Sequence, residues 1–228
     1  MAALAARHGL GDDATSALAA LLEGLAAERD PPTNVHEPGA ELEVHLADSL
    51  SGLDIEPLRS ARAIADVGAG AGFPGLALAA ALPAARVDLI EATARKCAVI
   101  DRLASRAALR NTRVVAARAE DWAAGEGTGA YEAVTARAVA VLPVLVEYAA
   151  PLLQEGGVLV AWKADREPAE ERAGAEAAAA LGLEVAAVRP VTPFADERPR
   201  HLHVFAKVAP TPVRFPRRAG MARKRPLA

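Results

Sequence analysis

Apolar residues recur along this chain in two patterns, short continuous runs and longer stretches with helical spacing. The short runs predict buried β-strands at residues 63–67, 86–90, 112–116, 130–135 and 158–162. The stretches between and after them predict helices at residues 76–82, 94–109, 141–153 and 168–181. Strands that alternate with helices in this way are typical of an α/β fold with a doubly wound parallel sheet.

The alternation changes after the last of these helices. Residues 184–188 and 201–208 read as two further strands, and the segment that joins them is too short for a crossover helix. We therefore expect an antiparallel hairpin at the end of the sheet. Dinucleotide dehydrogenases normally keep every strand of such a sheet parallel, whereas S-adenosylmethionine-dependent methyltransferases insert an antiparallel last strand. The pattern favours the second class.

Two segments outside the alternating pattern suggest a division into parts. Before the first strand, residues 14–28 predict an amphipathic helix with a leucine stripe, and residues 41–51 predict a second helix. After the last strand, the chain becomes basic and is punctuated by proline. We expect an N-terminal helical extension (1–58), an α/β domain (59–210) and a basic C-terminal tail (211–228).

The tail changes the meaning of the overall net charge of −3. From Val208 onward there is no acidic residue, and the six basic residues are Arg214, Arg217, Arg218, Arg223, Lys224 and Arg225. Taking six positive charges away from −3 leaves −9 for residues 1–207. An acidic body with a basic end predicts an arm that binds a polyanion. A disordered and merely soluble terminus is the alternative.

Composition also bears on size and compartment. A hydrophobic content of 52% in 228 residues is enough for one sizeable core. No apolar run reaches the roughly 18 residues that a membrane span needs, and residues 1–10 do not have the pattern of a signal peptide. Cys97 is the single cysteine, which excludes an intramolecular disulfide. We expect a cytoplasmic protein without a membrane role, in which Cys97 serves packing.

Residues 66–75 (DVGAGAGFPG) join the first strand to a helix through a glycine-rich turn. Such a turn lets the backbone approach a ligand closely, and free helix N–H groups point at that ligand. Its G-x-G-x-x-G pattern, residues 70–75, is by itself a weak sign of dinucleotide binding. Glu91, which ends the second strand, is placed to accept hydrogen bonds from ribose hydroxyls. Glu120, after the third strand, is placed to meet an adenine edge. A nicotinamide ligand and an S-adenosyl ligand both stay possible on these residues.

Motifs spread over nearly the whole chain resemble one family. They are residues 45–50 (HLADSL), 66–75, 118–120 (RAE), 135–139 (TARAV), 155–157 (EGG), Lys163 and 214–220 (RFPRRAG). In this order they resemble the RsmG (GidB) family of bacterial small-subunit rRNA guanine-N7 methyltransferases. One segment departs from the family, because residues 33–38 read TNVHEP where an Asn-Leu-Thr-like segment is usual.

The resemblance implies a class I S-adenosylmethionine-dependent methyltransferase fold. This fold is Rossmann-like, with a mostly parallel sheet, an antiparallel last strand and, in this family, an N-terminal helical extension. The resemblance also implies S-adenosylmethionine as the methyl donor and a guanine in a decoding-region loop of 16S rRNA as the acceptor, in free rRNA or in the small ribosomal subunit. No metal and no protein partner are expected. Matching positions place Gly68, Phe73, Ala119, Glu120 and Arg137 at the donor, and the glycine turn and strand-two acid add Gly70 and Glu91.

Methylation at guanine N7 makes few demands on catalytic side chains. The N7 lone pair is unprotonated at neutral pH, so the enzyme needs no general base and has mainly to position the reactants and exclude water. We therefore expect positioning residues only, which are Arg137, Lys163, His45 and Asp48. Arg137 could hold the donor carboxylate or a substrate phosphate, with a rim salt bridge as its alternative role. Lys163 could meet a phosphate or guanine O6.

Other observations concern base stacking, metal and function. The aromatic residues considered for stacking on the target base are Phe73, Trp122, Trp162 and Phe194. His201 and His203 alternate on the last strand, but no Cys or acid lies at a suitable spacing for a metal site. Two alternative functions stay open at this point: a nicotinamide-dependent oxidoreductase and a non-catalytic rRNA-binding assembly factor.

Overall fold

A computed structural model describes residues 1–32, 42–193 and 199–227 of the chain. The segment 33–38, which departs from the family pattern, and the stacking candidate Phe194 lie outside the described residues.

The described residues form a seven-stranded sheet with the strand order β3-β2-β1-β4-β5-β7-β6. The strands are β1 (Ala63–Val67), β2 (Arg86–Ile90), β3 (Thr112–Val115), β4 (Tyr131–Arg137), β5 (Leu153–Lys163), β6 (Leu183–Val191) and β7 (Arg200–Lys207). The pairs among β1 to β5 are parallel, whereas β7 runs antiparallel to both β5 and β6. The predicted α/β fold and its antiparallel last strand are therefore confirmed.

Helices cover both faces of the sheet, because successive side chains of each strand point to opposite faces. Along β1, Ile64 packs into one hydrophobic cluster and Ala65 into the other. The first cluster is covered by α2 (Asp12–Ala27), α5 (Gly75–Ala81) and α6 (Ala94–Arg106). The second is covered by α7 (Ala119–Ala123), α8 (Leu142–Ala149) and α9 (Pro168–Ala180).

The connection between α8 and β5 differs from the predicted one. The helix expected over 141–153 ends at Ala149, and the strand begins at Leu153 rather than at Val158. The predicted turn at 155–157 thus lies inside β5. The pairing shifts between Tyr131↔Leu153 and Ala133↔Val158, so the extra residues, including Gly156 at a φ of +82°, are taken up by an irregularity in the strand.

The N-terminal extension contains α1 (Ala2–His8) in addition to α2, and its second part is not one regular helix. Instead of a single helix over 41–51, the chain forms a π-helix (Leu42–Ala47), α3 (Asp48–Leu50), a 3₁₀-helix (Ser51–Asp54) and α4 (Glu56–Arg59). The hydroxyl of Ser49 donates to the His45 carbonyl oxygen, and that of Ser51 donates to the Asp48 carbonyl oxygen at 2.6 Å. Such local hydrogen bonds compete with the regular α-helical pattern.

Residues 211–227, called the C-terminal strap below, are folded against the body of the protein. Phe215 and Ala222 are buried in the second hydrophobic cluster, and a short helix α10 (Met221–Lys224) lies near the end. The strap runs beside α8, since Thr211 donates to the carbonyl oxygen of Ala150 and Arg217 pairs with Glu147. The alternative of a disordered terminus therefore does not describe these residues.

Candidate functional site

A cavity of about 970 Å³ opens at the carboxyl ends of β1, β4 and β5. Parallel strands bring the residues that follow them to one edge of the sheet, so motifs far apart in sequence meet there. Among the expected site residues, those that line the cavity are Gly68, Gly70, Phe73, Arg137, Lys163, His45 and Asp48. Its basic lining residues are Arg95, Lys96, Arg137, Lys163 and Arg200. They outnumber the acidic ones, Asp30 and Asp48, and this excess favours a ligand with anionic groups.

The turn after β1 uses glycine for two different reasons. Gly68 has a φ of +69°, and a Cβ at this position would lie 2.7 Å from Val139 Cγ2. Gly70 has a φ of +61°, but the nearest atom to a Cβ there would be the Gly68 carbonyl oxygen at 3.7 Å. Gly68 therefore permits close packing inside the protein, whereas Gly70 leaves space beside the backbone that a ligand can fill.

Asp66, at the end of β1, holds the turn and the start of α5 in place. Its Oδ2 accepts a hydrogen bond from the Gly75 N–H at 2.9 Å, and its Oδ1 accepts one from the Thr135 hydroxyl at 2.9 Å. Burial raises the pKa of Asp66 to about 6, although both hydrogen bonds act to lower it. A Cβ at Gly75 would lie 2.8 Å from Oδ2. Sequence reasoning identified Asp66 only as the first residue of the motif.

Arg137 and Asp48 form an ion pair at the cavity wall. Arg137 Nη1 lies 2.9 Å from Asp48 Oδ2, and the two side chains are only 13% and 7% exposed. Burial raises the pKa of Asp48, while the charges of Arg137 and Arg200 act to lower it. The other oxygen of Asp48, Oδ1, is buried and accepts no hydrogen bond from the part of the chain that the structure describes. The salt bridge considered for Arg137 thus exists, but it is buried at the cavity rather than exposed at a rim.

Aromatic rings connect the N-terminal extension to the sheet beside this ion pair. The His45 ring stacks on Phe73 with the centroids 4.9 Å apart and the planes at 27°. Trp162, near the end of β5, donates from Nε1 to the Asp48 carbonyl oxygen at 2.8 Å and to Ser51 Oγ at 3.2 Å. Because Trp162 is buried by these contacts, it fixes the backbone from which the Asp48 carboxylate projects.

Lys163 follows Trp162 and reaches the other side of the cavity. Its Nζ lies 2.7 Å from Glu170 Oε1, and Glu170 also accepts a hydrogen bond from the Leu142 N–H at 2.7 Å. The two side chains are 22% and 12% exposed, so this lysine is held in an ion pair rather than solvated.

Glu91 lies next to the cavity and binds the glycine turn. Its Oε2 accepts a hydrogen bond from the Gly70 N–H at 3.1 Å, and its Oε1 accepts one from the Thr93 N–H at 2.8 Å. Each carboxylate oxygen has a second lone-pair position, so these bonds leave acceptor capacity for a ligand.

Ala119 and Glu120 are not brought into the lining of this cavity. Both lie buried at the start of α7, and Glu120 Oε1 accepts a hydrogen bond from the Gly220 N–H of the C-terminal strap at 2.7 Å. Sequence reasoning placed Glu120 near the donor, but it contained no signal that the strap would reach this carboxylate.

The other residues weighed from the sequence lie away from the cavity. Trp122 donates from Nε1 to the Tyr131 hydroxyl at 2.8 Å, beneath the other face of the sheet. Cys97 is buried with its Sγ 3.2 Å from the Glu91 carbonyl oxygen, and burial raises the pKa of its thiol.

His201 and His203 have ordinary structural partners. His201 Nδ1 lies 3.3 Å from the Ala164 carbonyl oxygen, and His203 Nε2 lies 3.1 Å from Glu171 Oε1. Within the described ranges, no group of three or more His, Cys, Asp or Glu is arranged to hold a metal ion. Nor does that part of the chain contain a helix of the length and apolar character that crossing a membrane requires.

Comparison with known protein families identifies the chain. The family described as GidB, rRNA small subunit methyltransferase G, matches residues 19–201. The chain belongs to this family. Among named relatives, the rRNA small subunit methyltransferase G of Rubrobacter xylanophilus is 44% identical over 195 residues, covering 84% of this chain and 75% of the relative. That of Lacticaseibacillus paracasei is 35% identical and covers 97% of this chain and 95% of the relative.

Solved structures agree on the fold. An S-adenosylmethionine-dependent O-methyltransferase from Thermotoga maritima matches with a TM-score of 0.55 and 15% identity, covering 85% of this chain and 72% of that chain. A variant of the 16S rRNA (adenine(1408)-N(1))-methyltransferase from Catenulisporales acidiphilia, with bound cosubstrate, matches with a TM-score of 0.52 and 20% identity, covering 69% and 90%. The family resemblance and the class I methyltransferase fold are thereby confirmed. Membership in the GidB family supports an rRNA methyltransferase over an oxidoreductase or a non-catalytic assembly factor.

Proposed function

We propose that this protein transfers a methyl group from S-adenosylmethionine to N7 of a guanine in a decoding-region loop of 16S rRNA. The observation that supports this best is the convergence of the glycine turn and the buried Arg137–Asp48 pair at one cavity, in a chain of the GidB family. The partner is 16S rRNA, free or within the small subunit, and the compartment is the cytoplasm. The cavity volume of about 970 Å³ is at the upper end of the usual range for small-molecule sites, which suits a donor together with a base.

The residues present fit the donor. S-adenosylmethionine carries a carboxylate, an ammonium group and an adenosine, and its sulfonium supplies the methyl group. Arg137 carries five N–H donors in a planar fork, a geometry that matches a carboxylate. The unpartnered Oδ1 of Asp48 is an acceptor suited to an ammonium group. The space beside Gly70 admits the close approach of a ligand to the backbone.

The adenosine part of S-adenosylmethionine is assigned to residues beside the cavity. Glu91 uses its remaining acceptor capacity for the ribose hydroxyls, as acids at the end of a second strand commonly do. Glu120 bonds the strap through Oε1, and its Oε2 is proposed to meet the adenine edge with the help of the neighbouring Ala119 backbone.

The acceptor side needs positioning rather than proton transfer. Because N7 attacks with a free lone pair, the site must align the base in line with the sulfonium methyl group and exclude water. The stacked rings of His45 and Phe73 form a rigid, largely apolar wall for this purpose. Lys163 supplies a positive charge for a phosphate or for guanine O6.

The proposed function is tested by transfer of labelled methyl from S-adenosylmethionine to small subunits and to bare rRNA from cells that lack the modification, followed by nucleoside mass spectrometry. We expect one new 7-methylguanosine, and its loss in Arg137→Ala. Arg172→Ala, an exposed arginine on α9, is the matched control and should retain activity. Label in another nucleoside would contradict the acceptor, and no label on either substrate would contradict the reaction.

A further inference from the structure

The C-terminal strap is anchored on α8 and contacts residues next to the cavity. At its root, the Arg217 guanidinium forms a two-pronged pair with Glu147, with Nε 2.6 Å from Oε1. Glu147 is only 2% exposed, and the neighbouring Phe215 is buried. A fork of this kind fixes orientation as well as distance. The strap therefore approaches the site from a fixed direction.

Beyond this anchor, the strap contacts the segments that follow two different strands. The Gly220 N–H donates to Glu120 Oε1 at 2.7 Å, at the start of α7 after β3. Arg223 Nη2 donates to the Val139 carbonyl oxygen at 2.9 Å, in the turn after β4. Both segments follow the carboxyl ends of their strands, at the edge of the sheet where the cavity opens.

The Arg223 contact bears on a strained turn. Ala138 has a φ of +56°, a left-handed conformation that is unfavourable for a residue with a side chain. Ala138 and Ala140 line the cavity, and Arg137 directly precedes them. Such a conformation persists only when surrounding contacts hold it. Arg223 supplies one of these contacts from outside the cavity.

The same turn presses against the glycine motif. A Cβ at Gly68 would lie 2.7 Å from Val139 Cγ2, so the Val139 side chain is packed directly on that glycine. A shift of the Val139 backbone would consequently move the turn next to Arg137 and loosen the packing of Gly68.

We propose that Arg223 is a positioning residue of the donor site. It holds the Val139 carbonyl oxygen and thereby the turn that follows Arg137 and packs on Gly68. Arg223 is not among the residues that line the cavity. This inference rests on the proposed function, because it takes the cavity at Gly68 and Arg137 to be the site of S-adenosylmethionine. It assigns the strap a role in donor binding that is separate from any contact of its exposed cations with RNA.

The test compares Arg223→Ala with Lys224→Ala in the full chain. Lys224 is exposed on the same short helix, and its side chain has no hydrogen bond or ion pair with any described residue. Both variants lose one positive charge, but only Arg223→Ala loses the hydrogen bond to Val139. The first measurement is the Kd of S-adenosylhomocysteine by calorimetry without RNA. The second is the KM for donor and for rRNA, together with kcat.

We expect Arg223→Ala to weaken donor affinity by about twofold to tenfold, the range that corresponds to the loss of one ordinary exposed hydrogen bond. The KM for donor should rise while kcat changes little. Lys224→Ala should retain the donor affinity of the wild type. Equal donor affinity in all three proteins, or an equal loss in both variants, would overturn the inference.

Thermal melting shows whether Arg223→Ala is folded. Arg223→Lys is the second variant, because it keeps the charge but loses the guanidinium, and it should weaken donor binding without a change in Tm. If Arg223→Ala fails to fold, unchanged donor binding in Arg223→Lys would overturn the inference. A wild-type protein that binds no S-adenosylhomocysteine would overturn the proposed function and this inference with it. If the wild type binds S-adenosylhomocysteine and Arg223→Ala binds it equally well, only the inference is overturned.

Discussion

Arg137 and Asp48 are 89 residues apart in sequence, yet their charged groups meet at 2.9 Å in the wall of the cavity. One comes from the end of a central strand and the other from the helical extension before the first strand. The contact therefore joins the helical segment before β1 to the carboxyl end of β4 in the wall of the cavity.

Replacement of Asp48 by Asn should lower kcat/KM for methyl transfer by about tenfold or more, because it removes the negative charge that orients Arg137 and that would attract an ammonium group. The matched control is Asp101→Asn, an exposed carboxylate on α6, which should retain activity. Steady-state kinetics with varied donor measures both. Equal kcat/KM in the two variants would contradict the role given to Asp48.

The two glycines Gly70 and Gly75 should respond differently to a methyl group. Gly75→Ala places a Cβ 2.8 Å from Asp66 Oδ2, and we expect it to lower the free energy of unfolding by about 1–3 kcal/mol. The Cβ of Gly70→Ala would meet no atom closer than 3.7 Å. The loss in the free energy of unfolding should therefore be limited to the cost of the positive φ, about 1–2 kcal/mol.

Gly70→Ala should instead lose donor affinity by about tenfold or more, which corresponds to at least about 1.4 kcal/mol of binding energy. Urea unfolding and calorimetry with S-adenosylhomocysteine separate the two effects. Donor binding by folded Gly70→Ala at the level of the wild type would show that the space beside this residue is not used.

The buried carboxyl of Asp66 makes stability depend on pH. Its pKa in the folded protein is about 6, above the ordinary value of 3.8, so the folded state binds more protons than the unfolded state between these values. The stabilising contribution is therefore complete below about pH 4 and is lost as the pH rises through about 6. Asp66→Asn removes this dependence.

We expect the difference in free energy of unfolding, wild type minus Asp66→Asn, to increase by up to about 2–3 kcal/mol as the pH falls from 7 to 4. Denaturant titrations at a series of pH values measure this difference. A constant difference across the range would refute the raised pKa.

The anchor of the C-terminal strap should be sensitive to loss of one partner. Arg217→Met leaves the Glu147 carboxylate buried without its counter-charge, and we expect a loss of about 2–4 kcal/mol in the free energy of unfolding. Glu147→Leu in the same chain should recover part of this loss, since it removes the unpaired charge. Arg218→Met, an exposed neighbour, should cost less than about 0.5 kcal/mol. A similar loss in Arg217→Met and Arg218→Met would mean that the buried pair has no special importance.

The parts of the site that could be predicted from sequence are those with a local signal. The turn at Gly68 and Gly70 is recognisable because a buried strand, a run of glycines and a helix start follow one another directly. Arg137 and Lys163 were expected at the same edge because both end parallel strands, and the cavity brings them together.

The contacts that could not be predicted join residues far apart in the chain. Gly220 has the sequence context of an ordinary turn, and nothing near it indicates that its N–H meets Glu120, 100 residues earlier. The irregular helices around Asp48 were missed because the apolar spacing there also fits one regular helix. In the structure, the side-chain hydroxyls of Ser49 and Ser51 donate to carbonyl oxygens within this segment, a competing pattern that apolar spacing does not reveal.

The contacts at the edge of the sheet that carries the cavity join residues far apart in the chain. Asp48 precedes the first strand, whereas Gly220 and Arg223 follow the last one, and all three bear on this same edge. Contacts between distant residues form only after the entropic cost of closing a long loop has been met. We therefore expect this edge to become ordered late in folding.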